Sequence, residues 1–287
     1  MTLVRNDATF DHGAMTRIVV GIDGSPGSRQ ALVWAIEEAR RRRASLHAVT
    51  AWSFPALAGL TPLPSPTLDE FRQMASTTLD EVVDATVPAD VKVTRHVRQG
   101  KPAAVLAGEP SVGDVLVVGR RGMGGFERLV LGSVSRGVLR RSHVPTVVVP
   151  EQPNRDGDVI VGVSGGPEDD EVIAAAIEYA GGTSATCRLI HAVELGVGAA
   201  GLGASRALEV MVEAGGQILS AAVERADATE VDVQSTAVLG SPAAVLCDAA
   251  EQAQLLVVGR RSHGILGSVA EACAAHAACP VLVLPSS

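Results

Sequence analysis

Gly119-Arg120-Arg121-Gly122, nine further residues, and then Gly132-Ser133-Val134-Ser135 are the groups in this chain best placed to hold an anion. Ahead of them Val115-Leu116-Val117-Val118 is a short apolar run of the kind that forms a strand buried on both faces. Behind them Val134 to Arg141 reads as a helix. Glycines at such a hand-over permit φ > 0 and let backbone N–H groups approach a ligand with no Cβ in the way. Those N–H groups, a helix N-terminus and the hydroxyls of Ser133 and Ser135 suit a phosphate. The spacing alone leaves two readings, a phosphate cradle or a turn with no ligand. It is neither a Walker A loop, for no G-x4-G-K-[ST] occurs, nor the dinucleotide G-x-G-x-x-G, which follows the first strand of its unit.

Asp23 ends another apolar run, Val19-Val20-Gly21-Ile22-Asp23-Gly24-Ser25. It can be a helix-entry carboxylate or a ligand contact, and Gly21 allows close approach beside it. Arg120 and Arg121 could neutralise phosphate, but their recurrence as Arg260-Arg261 points to a solvated surface pair. Ser135 could cap its helix and serve an anion with the same helix end. His47 reads as a packed or partly exposed strand residue. One rival chemistry is visible in Gly162-Val163-Ser164-Gly165-Gly166, which matches the G-x-S-x-G nucleophile elbow. Asp248, His263 and His276 follow it, yet they align with ordinary helix and loop of the first half, and Ser164 takes the place of Asp23. A serine hydrolase is set aside.

The elements that must position these groups alternate strand and helix. Arg17–Ile22 is a strand, Ser25 and Pro26 open a helix through Arg43, and Leu46–Ala51 is a second strand. Four prolines between Trp52 and Pro66 exclude regular structure and suggest a covering loop. Thr67 caps a helix to about Thr86; Val91–Val97, Val115–Val118 and Pro145–Val149 are strands, and Pro102 opens a short helix. The pattern then repeats. Gly100-Lys101-Pro102-Ala103-Ala104-Val105-Leu106 returns as Gly240-Ser241-Pro242-Ala243-Ala244-Val245-Leu246, 140 residues later. Val144-Pro145 returns as Cys279-Pro280 only 135 residues later, so five residues have been lost in between. The second unit therefore comprises Val159–Val163, a helix Pro167–Ala180, Arg188–Val193, a helix Arg206–Ala226, Val231–Val238 and Leu255–Val258, closing near Pro285. The expectation is α/β, two tandem doubly wound parallel five-stranded sheets of the Rossmann-like or flavodoxin-like kind. A 2-1-4 strand order would bring Asp23 and Gly119 together where ligands of such sheets bind.

Composition bounds the rest. At 287 residues the chain holds about two domains, and 47% hydrophobic residues fill two cores with almost no aromatics. A net charge of −8 with no basic tract argues against nucleic acid, and no apolar run is long enough to span a membrane. Residues 1–15 read as a flexible tail with no apolar signal region, although Met15 offers a second start. All four cysteines, Cys187, Cys247, Cys273 and Cys279, lie in the second half among Ala, Val and Leu, without metal-ligand spacing. They read as small buried side chains of a protein in a reducing cytoplasm.

Gly119-x2-Gly122-x9-Gly132-Ser133, with an Asp at the end of the first strand, resembles the nucleotide-binding signature of the universal stress protein family in its ATP-binding branch. The resemblance covers residues 16–150, with a second copy over 158–287 and a linker at 151–157. It implies strand order 3-2-1-4-5 in each half, ATP as the bound nucleotide, and Mg²⁺ as the ion between Asp23 and the ribose or polyphosphate. It implies contacts from Gly21, Asp23, Gly119, Gly122, Gly124, Gly132, Ser133, Val134 and Ser135, with Arg120 and Arg121 in the loop and an adenine-edge backbone contact at about Ala48. It also implies a regulator read by an unknown protein partner, built as an intramolecular pseudo-dimer, with a homodimer of the whole chain open. A slow ATP hydrolase and an interaction protein that binds no nucleotide are the alternatives. The second half departs from the pattern: Asp23 becomes Ser164, Gly122 becomes Ser262, and the nine-residue loop shrinks to His263-Gly264-Ile265-Leu266 before Gly267-Ser268. That copy is expected to bind ATP weakly or not at all.

Overall fold

The computed structural model describes residues 17–53, 67–123, 130–194, 204–226, 230–260 and 267–286. The expectations for the tail (1–15), most of the proline-rich loop (54–66) and Gly124 fall outside them, as does the shortened second loop (261–266).

The first half runs β1 (Arg17–Gly21), α1 (Pro26–Arg42), β2 (Ser45–Trp52), α2 (Leu68–Thr86), β3 (Val93–Gln99), α3 (Pro102–Gly108), β4 (Val115–Gly119), α4 (Ser133–Arg141) and β5 (Thr146–Val149). The second runs β6 (Asp158–Gly162), α5 (Asp169–Thr183), β7 (Cys187–Val193), α6 (Ala204–Arg225), β8 (Val233–Leu239), α7 (Pro242–Ala249), β9 (Ala253–Gly259), α8 (Ser268–His276) and β10 (Val281–Leu284). Local chemistry sets the helix starts. Ser25 Oγ accepts from Ser28 N at 3.1 Å, with Pro26 in the first turn of α1. Thr67 and Glu70 form a reciprocal capping box at the start of α2.

Each half has the order 3-2-1-4-5, but the halves do not keep separate sheets. They form one ten-stranded sheet, β3-β2-β1-β4-β5-β10-β9-β6-β7-β8, and every pair is parallel except β5–β10. The reason is the character of those two strands. Both are four residues long and buried throughout, and a bare apolar edge of that kind invites pairing. In the join Val147 faces Leu282, Val148 faces Val281, and Thr146 faces Val283. Val147 and Leu282 are equivalent in the repeat, so a pseudo-two-fold axis passes through that pair and the contact is isologous within one chain.

The alternating strand residues feed two cores. Ile18, Val20, Val117 and Leu255 pack under α1, α2, α5 and α6; Val19, Leu116, Val148 and Leu256 pack under α3, α4, α7 and α8. Side chains span the axis on both faces. Trp34 of α1 stacks on Tyr179 of α5 at 6.5 Å, and Arg136 of α4 meets Glu271 of α8 at 2.6 Å.

Arg120 and Arg260 depart from the expected solvated pair. The Arg120 guanidinium donates to the carbonyl of Ala277, the C-cap of α8. The equivalent Arg260, 9% exposed, donates to Leu139 O at 3.1 Å and to Ser142 O at 2.8 Å, at the end of α4. Each arginine thus reaches across the join to the carbonyl end of the other half's last helix, where a cation is favoured. Arg260→Ala would leave two buried carbonyls without a donor. The expected loss is about 2 kcal/mol, read as a lower midpoint in urea unfolding; an unchanged midpoint would show that the contact contributes nothing.

The outer edge carries a second polar device. Arg98, held by Glu109 at 2.8 Å, points Nη2 at His96 Nδ1 (3.1 Å). Arginine only donates, so His96 carries its proton on Nε2 and gives it to His47 Nδ1 at 3.0 Å, and His47 Nε2 faces Ser45 Oγ at 3.3 Å. Both rings must be neutral. Burial lowers the His47 pKa below 6.5, with His96 and Arg17 adding to the shift and Asp114 and Glu109 opposing it. A base with a depressed folded pKa adds stability that is complete above its unfolded pKa and is lost as pH falls through the folded one. Stability should therefore decline as the buffer is taken from about pH 7.5 to about pH 5.5, and His47→Gln should flatten that decline. Identical pH profiles for the two proteins would refute the relay.

Candidate functional site

β1 lies between β2 and β4, so the loops leaving β1 and β4 are neighbours at the carboxyl end of the sheet. Asp23 joins them. Its Oδ1 accepts from Ser25 N at 3.0 Å and Ser25 Oγ at 2.6 Å, and its Oδ2 accepts from Met123 N at 3.1 Å. Gly24, at φ +87°, makes the turn between strand and cap. Asp23 is thus a helix-entry carboxylate that also fixes the loop after β4.

The loop glycines are there for close approach. A Cβ on Gly119 would lie 2.5 Å from the Gly27 carbonyl carbon and 2.9 Å from Ser28 N, so β4 ends hard against the start of α1. A Cβ on Gly122 would run into Asp23 Oδ2, and one on Gly21 would sit 2.8 Å from the Leu106 side chain. Of the two freedoms glycine offers, Gly119 and Gly122 use close approach alone; neither has positive φ. Crowding by backbone and carboxylate, not torsion, demands glycine at both.

Beyond the loop, Gly132 N donates to Arg120 O at 2.9 Å and α4 begins at Ser133. The first intrahelical bond is Arg136 N to Gly132 O at 3.0 Å, which leaves the N–H groups of Ser133, Val134 and Ser135 without an i−4 partner. Ser133 is exposed and Val134 half-buried beside it. Ser135 serves differently from expectation. Its hydroxyl is buried and donates to Gly119 O at 2.7 Å, so it ties α4 to the end of β4 and neither caps the helix nor faces outward. The other expected contacts separate. Ala48 is fully buried in mid-strand, paired with Val20 on one side and Arg95 on the other, well short of the strand end at Trp52. An adenine edge cannot reach its backbone there. Arg120 N is committed to Val149 O at 2.7 Å and its side chain to the join, whereas half-exposed Arg121 lies 3.4 Å from Glu151. Among the described residues no group of three or more His, Cys, Asp or Glu could hold a metal ion, and no helix is long and apolar enough to cross a membrane.

The family model of the universal stress protein family matches this chain twice, over residues 15–150 and 157–285. The chain belongs to the universal stress protein family. A universal stress protein of Mycobacterium tuberculosis is 30% identical over 293 residues, covering 94% of this chain and 96% of the relative. One from Mycolicibacterium smegmatis is 34% identical over 151 residues, or 52% of this chain and 50% of its own length. In the solved universal stress protein of Archaeoglobus fulgidus the fold recurs with a TM-score of 0.66 at 22% identity, over 95% of this chain and 99% of that one.

The two universal stress protein halves end their first strands differently. In the second, Ser164 stands where Asp23 does in the first, and the carboxylate comes from Asp169 at the start of α5. Asp169 is 3% exposed; it accepts from Ser164 N and Oγ, both at 3.0 Å, and from Gly165 N at 2.7 Å. A side chain of the protein itself thus fills the turn. This arrangement also disposes of the nucleophile elbow, since the Ser164 hydroxyl is bonded to a carboxylate and no described histidine contacts it. Sequence reasoning missed Asp169, Gly27 and the Met123 amide. The acidic run Glu168-Asp169-Asp170-Glu171, against Gly27-Ser28-Arg29-Gln30 in the first half, was the available signal for Asp169.

Two glycine substitutions should separate packing from loop geometry. Gly119→Ala forces backbone against backbone and should lower stability by a few kcal/mol, about 1–3. Gly122→Ala presses only on a carboxylate and should leave the fold intact while displacing Asp23 from Met123 N. Thermal unfolding of both variants checks this; equal loss in the two would show that the loop contact is as structural as the strand end.

Proposed function

We propose that this universal stress protein binds ATP in its first half and uses occupancy of that site as a regulatory signal. The observation that carries the reading is the junction of the β1 and β4 loops through Asp23 and Met123 N beside the first three N–H groups of α4, which have no partner among the described residues. Such N–H groups, reinforced by the helix dipole, are donors suited to phosphate. Gly122 and Gly132 keep side chains out of the approach, and Ser133 adds an exposed hydroxyl. Gly124, Val134 and Arg121 are proposed to complete the cradle. Asp23 could share Mg²⁺ with phosphate oxygens, since this ion in nucleotide sites takes one or two protein carboxylates. Nucleotides are among the ligands of the family, one member being known as a complex with cAMP. The regulatory part rests on Asp23: a ligand that draws it from Met123 N would release the loop after β4, and a protein partner would read the change.

Hydrolysis is a weaker reading on a specific observation. Asp23 already accepts three hydrogen bonds from protein donors, so it is poorly disposed to take a proton from water. The second half has its turn sealed by Asp169.

Calorimetric titration of nucleotide-free protein should therefore give close to one ATP per chain, with at most trace phosphate release. At 100 times Kd the ligand should stabilise the fold by about 2.7 kcal/mol, and Gly122→Ala should abolish most of that gain. Two equivalent sites, no binding of ATP or cAMP, or multiple turnovers lost in Asp23→Asn would each overturn the assignment.

A further inference from the structure

The sheet ends on two strands that hold equivalent places in the repeat, β3 in the first half and β8 in the second. Cys187 N donates to Asp232 O at 2.8 Å, and Gly240 N donates to Val193 O at 3.1 Å. Even-numbered residues of β8 therefore direct their backbone groups at β7. The N–H and C=O groups of Val233, Ser235, Ala237 and Leu239 point outward, with no partner among the described residues. Such an edge is a template for another strand, and charged side chains are a usual bar to it. β3 has that bar: Arg95 is tied to Asp80 of α2 at 2.7 Å and Arg98 to Glu109 at 2.8 Å, with His96 between them.

In the second half each of these groups is neutral. At the offset that separates Gly100 from Gly240, Ser235 stands for Arg95, Thr236 for His96, Val238 for Arg98, Ser220 for Asp80 and Ala249 for Glu109. The helix beside the edge has changed in the same way. Ile218 of α6 packs over Gly165 and Arg225 reaches Asp170 of α5, so that flank of α6 faces inward. The opposite flank, toward the open edge, carries Glu209, Val212, Gly216, Ser220 and Val223. Its counterpart on α2 carries Asp69, Arg72, Ser76, Asp80 and Val83. A Cβ on Gly216 would meet open space, so no packing within the chain demands that glycine.

We propose that β8 pairs antiparallel with β8 of a second copy of this chain, about a two-fold axis through Thr236. In that register Ser235 faces Ala237 and Val233 faces Leu239 of the other copy, each pair exchanging both of its outward bonds, and Gln234 faces Val238. Thr236 faces itself in the closer, non-hydrogen-bonded kind of pair, where two threonines interact favourably. No charge on this strand meets its own copy. The same register on β3 would set His96 against His96 with Arg95 and Arg98 on either side. The β5–β10 join already uses this device inside the chain, antiparallel pairing about a two-fold axis with helices meeting over it. Gly216 and Ser220 leave room for two α6 helices to meet over β8 likewise. This self-complementarity selects a second copy over an unrelated extended peptide.

Sedimentation equilibrium of the full chain, at concentrations up to about 0.1 mM, should show a reversible monomer–dimer mass. Ser235→Arg gives β8 the charge that β3 carries and should weaken the dimer about tenfold, whereas Arg95→Ser on the other edge should leave it unchanged. Paired residues at the axis lie about 4.5 Å apart between Cα atoms, within disulfide reach. Mild oxidation of Thr236→Cys should therefore yield a linked dimer that dithiothreitol reverses. The mass of the unsubstituted chain needs no variant, so poor folding of either one leaves the test intact. A monomer at every concentration, a dimer that folded Ser235→Arg leaves as tight as before, or a Thr236→Cys dimer that stays unlinked would overturn the proposal.

Discussion

The antiparallel pairing of β5 with β10 is the constraint on which the rest of this molecule depends. Both strands are buried throughout and apolar but for Thr146, and neither could face water without offering an unpaired edge to any other chain. The edges that remain after the join, β3 and β8, differ in kind: they carry Arg95, Arg98, Gln234 and Ser235, and much of their length is exposed. Duplication solved the edge problem inside one chain. Near the axis the two copies have since diverged in charge. Arg136 and Glu271 occupy equivalent positions and contact each other at 2.6 Å, with Arg140 also directed at Glu271. A first half pairing with its own copy would oppose arginine to arginine there, and a second half would oppose glutamate to glutamate. Like charges so placed are destabilising, so the divergence favours pairing within the chain.

Much of this fold was legible because the repeat and the strand periodicity are strong signals. Ser25-Pro26 and Thr67 gave helix starts that the structure keeps, and apolar runs gave the central strands to within about two residues. What the sequence did not contain in readable form was the merging of the sheets. The same four-residue apolar strand suits a covered edge or a central position, and only the partner distinguishes them. Arg120 and Arg260 were misread for a related reason. An arginine pair after a strand looks solvated unless the carbonyls waiting for it on the other half are known.

At the site, the types of residue were legible and their tasks were not. Gly119 and Gly122 were recognisable as necessary glycines, yet their necessity comes from Gly27 and Asp23, distant in sequence and adjacent in space. Ser135 was recognisable as a hydroxyl at a helix start, but its proton goes inward to Gly119 O. Asp23 and Asp169 show how the two halves settled one problem twice. Each carboxylate binds the backbone N–H groups of a strand-to-helix turn, one from the strand side and one from the helix side. The first arrangement leaves Oδ2 to bridge to the next loop, whereas the second spends both oxygens within its own turn.

Arg120 ties the candidate site to the join through one residue. Its N–H is paired with Val149 of β5, and its carbonyl accepts from Gly132 N at the head of α4 and, at 3.3 Å, from Ser135 Oγ. Its guanidinium ends on Ala277 at the tail of α8. Backbone and side chain of this residue therefore face opposite tasks: the peptide groups set where α4 begins, and the side chain sets how the second half sits against it. Arg260 repeats the strand bond, N to Leu284 O at 2.8 Å, and the reach across the join, but the described partner of its carbonyl is Ser286 Oγ at 2.7 Å. Packed interiors move between discrete arrangements and do not deform smoothly. A shift of the loop after β4 large enough to carry Arg120 with it must thus either break the Ala277 contact or move α8. Among the described contacts, then, the head of α4 is linked to the join through Arg120, and no matching link from the head of α8 runs through Arg260.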